Sequence, residues 1–228
     1  MYNEELVASE CVKRVMSEIS KLPNYVKLIV IDDGSNDSTI KILENEKSKY
    51  KDKLIIFSSK KNGGYGDALS KGINIAIRGG FEYYITMDSD LTNPPRYIRD
   101  FVKAMNKNVD CIKASRYVEN GKVLNVPLFR RVISIFGNNL ARLFFGLGIK
   151  DYTNGFKMVR LSLLKDVKFK EKNFSIILEE MYYLKKKKAK FVEIPNILSV
   201  RKNSKSHFRY TPIIFYDYFK YLFLALFA

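Results

Sequence analysis

Hydrophobic positions along the chain alternate between two spacings. Residues 5–20 carry Leu6, Val7, Cys11, Val15 and Ile19 on one side of a helix. VKLIVIDDGS (26–35) follows, an apolar run rich in β-branched residues and closed by a polar turn. It suits a strand covered on both faces. The alternation then repeats. A helix is expected over 37–50, a strand at LIIFSS (54–59), a helix over 65–79 and a strand at FEYYITMD (81–88). Another helix runs from Pro95 to about 107, and a strand covers 109–114. Proline is favoured in a first helical turn, where its missing N–H costs nothing. Repeated strand–helix units of this length predict an α/β fold: a mixed, mostly parallel sheet flanked by helices.

Ligands of such sheets bind beyond the carboxyl ends of the strands. Asp32, Asp33, Asn62, Asp88 and Asp90 all fall at or just after expected strand ends, which marks one edge as the site. Asp88-Ser89-Asp90 sets two like charges one residue apart, a repulsion that a cation between them relieves. Paired carboxylate oxygens suit Mg²⁺ or Mn²⁺, ions that keep some waters and bind substrate phosphates. IDDGSNDST (31–39) runs from a strand end into a helix that Asp37 or Ser38 caps. NGGYGDA (62–68) leads into a helix whose N-terminus suits phosphate. Neither GxxxxGK[ST] nor a GxGxxG after the first strand occurs, which disfavours a P-loop NTPase or a dinucleotide dehydrogenase.

Composition narrows the partners. The 228 residues are 46% hydrophobic, enough for one substantial core. Forty Lys and Arg stand against 24 Asp and Glu, a formal charge of +16. That surplus points to nucleic acid, an acidic lipid surface or a phosphorylated substrate. Nucleic acid is disfavoured, since no helix-turn-helix, zinc-finger or RRM signature occurs. The single histidine, His207, excludes a His-rich zinc site. Cys11 and Cys111 lack metal spacing, and no secretory signal opens the sequence, so a reducing cytosolic setting is expected. No run of about 18 apolar residues predicts a membrane span. Lys185–Lys188 reads as the solvated end of a helix, where cations suit the dipole.

Taken together, the motifs resemble family 2 glycosyltransferases of the GT-A fold, and within them the polyprenyl-phosphate sugar synthases. The resemblance runs from Tyr2 to about Phe208. It rests on YNEE (2–5), VIDDGSNDST (30–39), NGGYGDAL (62–69), MDSDLTNPP (87–95), SRYVENGKV (115–123), FRRVIS (129–134), DYTNGFK (151–157) and VEIP (192–195) followed by Arg201. It implies that Tyr2, Glu4, Asp33, Gly34 and Asn62 line the nucleotide-sugar pocket. Asp88 lies near the donor by the same resemblance, Asp90 holds Mg or Mn with Asp88 beside it, and Arg116, Arg130 and Arg201 surround the acceptor phosphate and donor diphosphate. Guanidinium groups suit phosphate bidentately. The expected domain covers 1–209, with 210–228 an amphipathic, hydrophobic segment.

Three departures stand out. Family members begin with a complete strand before Pro-x-Tyr-Asn-Glu, whereas this sequence opens at MYNEE; a strand is expected to be missing from the sheet. Ser206-His207 stands where members often carry Ser-Lys. With no Trp, the QxxRW motif of processive polysaccharide synthases is absent.

Two segments suit a membrane interface. Over 128–148, Val132, Ile133, Phe136, Leu140, Leu143, Phe144 and Leu147 share one helical face, with Arg130, Arg131, Ser134, Asn138 and Arg142 opposite. The competing expectation packs this apolar face on the sheet. Residues 213–228 are expected to form either a second interfacial helix or the stump of a longer membrane tail. The expected activity is therefore inverting transfer of a sugar from a nucleotide-diphosphate donor to a polyprenyl phosphate, by a protein bound peripherally at the cytoplasmic face of a membrane. One alternative keeps the fold with a sugar-hydroxyl acceptor. That chemistry wants a carboxylate base, which Glu179 or Glu180 supplies, Glu179 being the position matching the family; otherwise both acids face solvent on a packed helix. The other alternative is a binding protein on a degraded transferase scaffold.

Overall fold

The computed structural model describes residues 1–23, 25–106, 108–199 and 211–228. In chain order the elements are α1 (Ala8–Ile19), β1 (Leu28–Asp32), α2 (Thr39–Tyr50), β2 (Leu54–Ser58), α3 (Tyr65–Arg78), β3 (Tyr83–Thr86), α4 (Tyr97–Ala104) and β4 (Cys111–Ser115). Then come β5 (Lys122–Val123), α5 (Leu128–Phe145), β6 (Lys157–Arg160), α6 (Ile176–Lys186), β7 (Phe191–Pro195), β8 (Ile197–Leu198) and α7 (Pro212–Ala225). The eight expected elements of the first half are all present, with ends displaced by a few residues. Pro95 lies just outside α4: its carbonyl and that of Pro94 accept the Ile98 and Tyr97 N–H groups, so the prolines shape the entry turn.

The sheet is mixed. β1 and β2 pair in parallel, while a second sheet runs β3-β6-β4-β7. There β6 lies antiparallel to both neighbours and β4–β7 is parallel. Three of the five strand pairs among the described residues are parallel, as expected of a mixed, mostly parallel sheet; the antiparallel pairs arise because β6, unmarked by any long apolar run, returns the chain between β3 and β4. All five residues of β4 are buried, as befits a strand with helices on both faces. Ile112 and Met158 face Tyr97 and Phe101 of α4, while Cys111 and Val159 face Ile73 of α3 and Leu184 of α6. Buried charges accompany them. Lys157 Nζ stands 2.8 Å from Glu180, which also receives the Tyr84 hydroxyl. Lys113 Nζ donates to the carbonyls of Asn154 (2.6 Å) and Tyr152 (3.3 Å), and burial lowers it to about 8.

A cavity of about 1570 Å³ opens between the two sheets. Residues 28–31 and 82–88 all line it. Successive strand residues face opposite ways, so the cavity runs along the edges of β1 and β3. Val12, Val15 and Ile19 of α1 close one side, and Ala68, Ile73 and Ala76 of α3 the other. At one end Met1 donates its ammonium to Ile31 O (2.5 Å) and accepts from Asp33 N (2.8 Å), the two bonds of a parallel bridge.

α5 packs inward along the line of Asn138, Ala141 and Phe145. Asn138, Ala141 and Phe145 are buried, while Leu128, Phe129, Val132, Phe136 and Leu143 are exposed. The expected apolar face is thereby divided: Leu140, Phe144 and Leu147 pack against the core with α6 and α7, while Val132, Ile133, Phe136 and Leu143 stay exposed. Asn138 compensates its burial with bonds to Ser134 O, Thr153 Oγ1 and the N–H groups of Tyr152 and Thr153. α7 repeats the arrangement: Asp217 and Tyr221 are buried, and Ile213, Tyr216, Phe219 and Phe223 are exposed. Lys185, expected to be solvated, donates to Ala225 O (2.6 Å) and Phe144 O (3.5 Å), fastening the ends of α7 and α5.

Candidate active site

The carboxyl ends of β1 and β3 bring the acidic motifs to one wall of the cavity. Tyr2, Glu4, Asp33, Asn62, Asp88 and Asp90 line it, as do Arg116 and Arg130. Arg201, with Ser206 and His207, lies outside the described residues.

The acids divide by task. Asp32 is buried and accepts from Ser35 Oγ (2.5 Å) and Ser58 Oγ (2.7 Å), which fixes the turn. Asp33 accepts from the N–H groups of Gly63 (3.0 Å) and Gly64 (2.8 Å), so it shapes the glycine loop at the cavity wall. Gly34 meets that loop from the other side. Its φ is +73°, and a Cβ there would stand 2.7 Å from the Lys61 carbonyl carbon, so only glycine fits. Asp37, expected as a cap, accepts from Thr39 N (2.9 Å) at the start of α2. Glu4 is buried, and its own N–H donates to Thr39 Oγ1 (2.8 Å).

Asp88 and Asp90 sit on the turn after β3. Asp90 Oδ1 accepts from Thr92 N (3.0 Å) and Thr92 Oγ1 (2.8 Å), which orients its carboxylate. Among the described residues no group of three His, Cys, Asp or Glu stands ready to hold an ion. Two hard carboxylates on one turn at the cavity wall are of the kind that would suit a Mg²⁺ or Mn²⁺.

The arginines differ from one another. Arg116 donates from Nε (2.7 Å) and Nη2 (2.7 Å) to Asp151, and from Nη2 to Thr153 Oγ1 (2.8 Å). Burial alone raises the Asp151 carboxyl, but Arg116 and the hydrogen bonds outweigh this and hold it below its ordinary value. Arg116 is thus pinned along one prong of its fork. Arg130 is not: its Nε is buried with no hydrogen-bond partner among the described residues. A buried donor without a partner is costly, and here it borders the cavity.

Glu179 is placed differently from a base. It is buried on α6, and its carboxylate accepts from Lys170 N (2.9 Å) and Glu171 N (2.9 Å). Burial raises it against those bonds. Glu180 is buried beside Lys157, so neither acid faces solvent. The loop that Glu179 holds reaches the glycine loop, where Gly66 N donates to Lys172 O (2.8 Å). Sequence reasoning does not single out Asp151, Lys157 or Tyr65, although DYTNGFK and NGGYG contain them. A lone acid before a Thr-Asn-Gly turn gives no sign of its partner.

Residues 1–168 match the family model of glycosyl transferase family 2. The chain belongs to that family. It is 30% identical over 224 residues to a dolichol-phosphate mannosyltransferase of Pyrococcus furiosus, covering 97% of this chain and 60% of the relative. It is 28% identical over 166 residues to a polyprenol monophosphomannose synthase of Mycolicibacterium smegmatis, covering 73% and 61%. The chain thus spans about three-fifths of the length of these family 2 relatives. Among solved structures, glucosyl-3-phosphoglycerate synthase of Mycobacterium tuberculosis, in complex with Mn²⁺, UDP and glucosyl-3-phosphoglycerate, matches with a TM-score of 0.65 at 17% identity, over 90% of this chain and 70% of that one. A mannosyltransferase of Pyrobaculum calidifontis with GDP-mannose and Mn²⁺ matches at 0.59 and 15%, over 90% and 56%. These likenesses establish the GT-A fold for this family 2 chain.

Proposed function

We propose that the protein is a metal-dependent glycosyltransferase that moves a sugar, with inversion, from a nucleoside-diphosphate sugar to a polyprenyl phosphate at a membrane surface. One observation carries the choice of acceptor. The cavity lined by Asp88, Asp90 and Arg130 continues between α5 and α7, where Ile133, Phe136, Leu140, Ile213, Phe215 and Phe219 line it. An anionic headgroup at one end and an apolar tail along the other suit this gradient. The relatives that carry polyprenol or dolichol in their names support the same choice.

The residues divide the work. A phosphate acceptor is already largely anionic near neutral pH, so no strong base is required. Arg130, whose Nε has no partner among the described residues, draws that phosphate toward the donor and orients it for in-line attack at the anomeric carbon. Asp33 keeps the glycine loop open to the donor through the Gly63 and Gly64 N–H groups. Asp88 and Asp90 hold Mg or Mn, which when bound stabilises the departing diphosphate as a Lewis acid. Glu179 is occupied by backbone donors, which favours the phosphate acceptor over a hydroxyl needing a base.

No helix among the described residues is long and apolar enough to cross a membrane. The exposed apolar faces of α5 and α7, with Arg131 and Arg142 on α5, suit peripheral docking on an anionic lipid surface. A donor panel tests the reading. GDP-mannose, UDP-glucose, UDP-galactose and UDP-GlcNAc are each mixed with Mn²⁺ and either a short polyprenyl phosphate or 3-phosphoglycerate. Transfer of one sugar to the lipid alone is expected. Transfer to 3-phosphoglycerate alone would overturn the lipid acceptor.

A further inference from the structure

α7 has two faces with different neighbours. Ile213, Tyr216, Phe219 and Phe223 are exposed on the outer one. The inner one is polar where it meets residues 171–175, the segment that leads into α6. Lys220 Nζ pairs with Glu171 Oε1, and the Tyr221 hydroxyl donates to the same oxygen (2.9 Å). Asp217 Oδ2 accepts from Asn173 Nδ2 (3.2 Å) and Ser175 Oγ (3.1 Å). Asp217 and Tyr221 are buried, and the Glu171 side chain is 11% exposed. These bonds therefore lie in surroundings less polar than water, where each is stronger.

The other side of this segment forms cavity wall and meets the glycine loop. Lys172, Asn173, Phe174 and Ser175 line the cavity, as do Asn62 and Gly64. Lys172 O accepts from Gly66 N (2.8 Å), and the Phe174 ring stacks on Tyr65 at 4.4 Å between centroids. A Cβ on Gly66 would collide with the Glu171 carbonyl oxygen. Gly66 has no positive φ, so its glycine is explained by this close approach. The glycine loop is thus held from two sides. Asp33 holds it through the N–H groups of Gly63 and Gly64, and residues 171–175 hold it through Gly66 and Tyr65. The second hold passes on to α7.

We propose that Lys220 and Tyr221 of α7 are positioning residues for the donor pocket, acting through Glu171 on the glycine loop. Removing their bonds frees the Glu171 side chain and loosens the contact of Lys172 with Gly66. The loop then leaves the shape that receives the donor. The consequence for affinity rests on the reading of the cavity as a nucleotide-sugar pocket; the consequence for the loop does not.

Three variants and a control test it. Lys220→Met keeps the aliphatic stem and removes the charge, Tyr221→Phe keeps the ring and removes the hydroxyl, and the double variant removes both bonds to Glu171. Lys185→Met is the control, because Lys185 fastens the other end of α7 through Ala225 O. Hydrogen exchange is followed over residues 62–68, and binding of UDP and GDP in Mn²⁺ is followed by calorimetry. In the double variant, exchange over 62–68 is expected to quicken about tenfold, the scale of one hydrogen bond to a charged group. Nucleotide affinity should fall by a similar factor, while Lys185→Met stays within about twofold of the wild type in both readouts. Unchanged exchange or wild-type affinity in the double variant, or an equal loss in Lys185→Met, would overturn the proposal. Should the double variant not fold, Lys220→Met alone, whose side chain is 35% exposed, carries the same test with the same expected directions. If the wild type binds neither nucleotide, the functional reading has failed, and exchange over 62–68 still decides the role of Lys220 and Tyr221.

Discussion

Arg116 and Asp151 form a two-pronged ion pair, with Nε–Oδ2 and Nη2–Oδ1 both at 2.7 Å and the Asp151 side chain wholly buried. Asp151 also accepts the Arg116 N–H (3.0 Å) and the Asn154 N–H (3.1 Å), tying the end of β4 to the turn before β6. A buried pair of this kind is strongly missed when one partner is removed. Asp151→Asn is expected to cost about 3 kcal/mol of stability, read by urea denaturation. An effect within about 0.5 kcal/mol, the usual range at exposed sites, would show that the pair is not stabilising.

The same pair sets an acid limb. The folded Asp151 carboxyl titrates below its ordinary value, so the unfolded chain binds its proton first as pH falls. Its contribution is full above about pH 4, the unfolded range, and is lost as pH falls through the lower folded value. Denaturation midpoints between about pH 5 and 2 should fall more gently in Asp151→Asn than in the wild type. Parallel slopes in the two proteins would remove Asp151 from the acid limb.

Much of this is legible in sequence and some is not. The apolar runs at 26–35 and 81–88 place β1 and β3, and with them Asp33, Asp88 and Asp90 of the cavity wall, because buried strands between helices announce themselves as short apolar runs. β6 does not, since Lys157–Arg160 carries two cations in four residues, and Lys157 is neutralised by Glu180 from a distant helix. For the same reason LEEMYY suggests a base: Glu179 carries no local sign that it accepts the N–H groups of 170 and 171. The two faces of α5 are plain from its periodicity, but which face turns inward depends on Asn138 meeting Thr153, a contact made by folding.

Glu179 offers a contrast between two roles. As a loop anchor, its change to Gln sets an amide N–H₂ against backbone donors, and stability should fall by about 1–2 kcal/mol. Donor KM should rise, because the loop at 170–174 abuts the glycine loop. As a general base, the same change would remove kcat and the acid limb of the pH–rate profile at unchanged stability. Melting temperature and a pH–rate profile together distinguish them.

The apolar faces of α5 and α7 predict lipid binding separable from folding. Phe136 and Leu143 are 62% and 76% exposed, so changing both to Ser should leave the melting temperature unaltered. Burial of such a side chain in lipid is worth about 1.5–3 kcal/mol. Sedimentation with vesicles of mixed neutral and anionic lipid should therefore weaken by at least about tenfold. Equal binding of the double variant would move the docking surface elsewhere.

The most direct measurement is a calorimetric titration of UDP and GDP into the wild type and Asp90→Ala, each with Mn²⁺ and with EDTA. One nucleoside diphosphate is expected to bind the wild type in Mn²⁺, with affinity falling about tenfold or more in EDTA and in Asp90→Ala, the scale of one lost charged contact. Equal affinity with and without the metal, or no binding of either nucleotide, would contradict a metal-bridged diphosphate at Asp88 and Asp90.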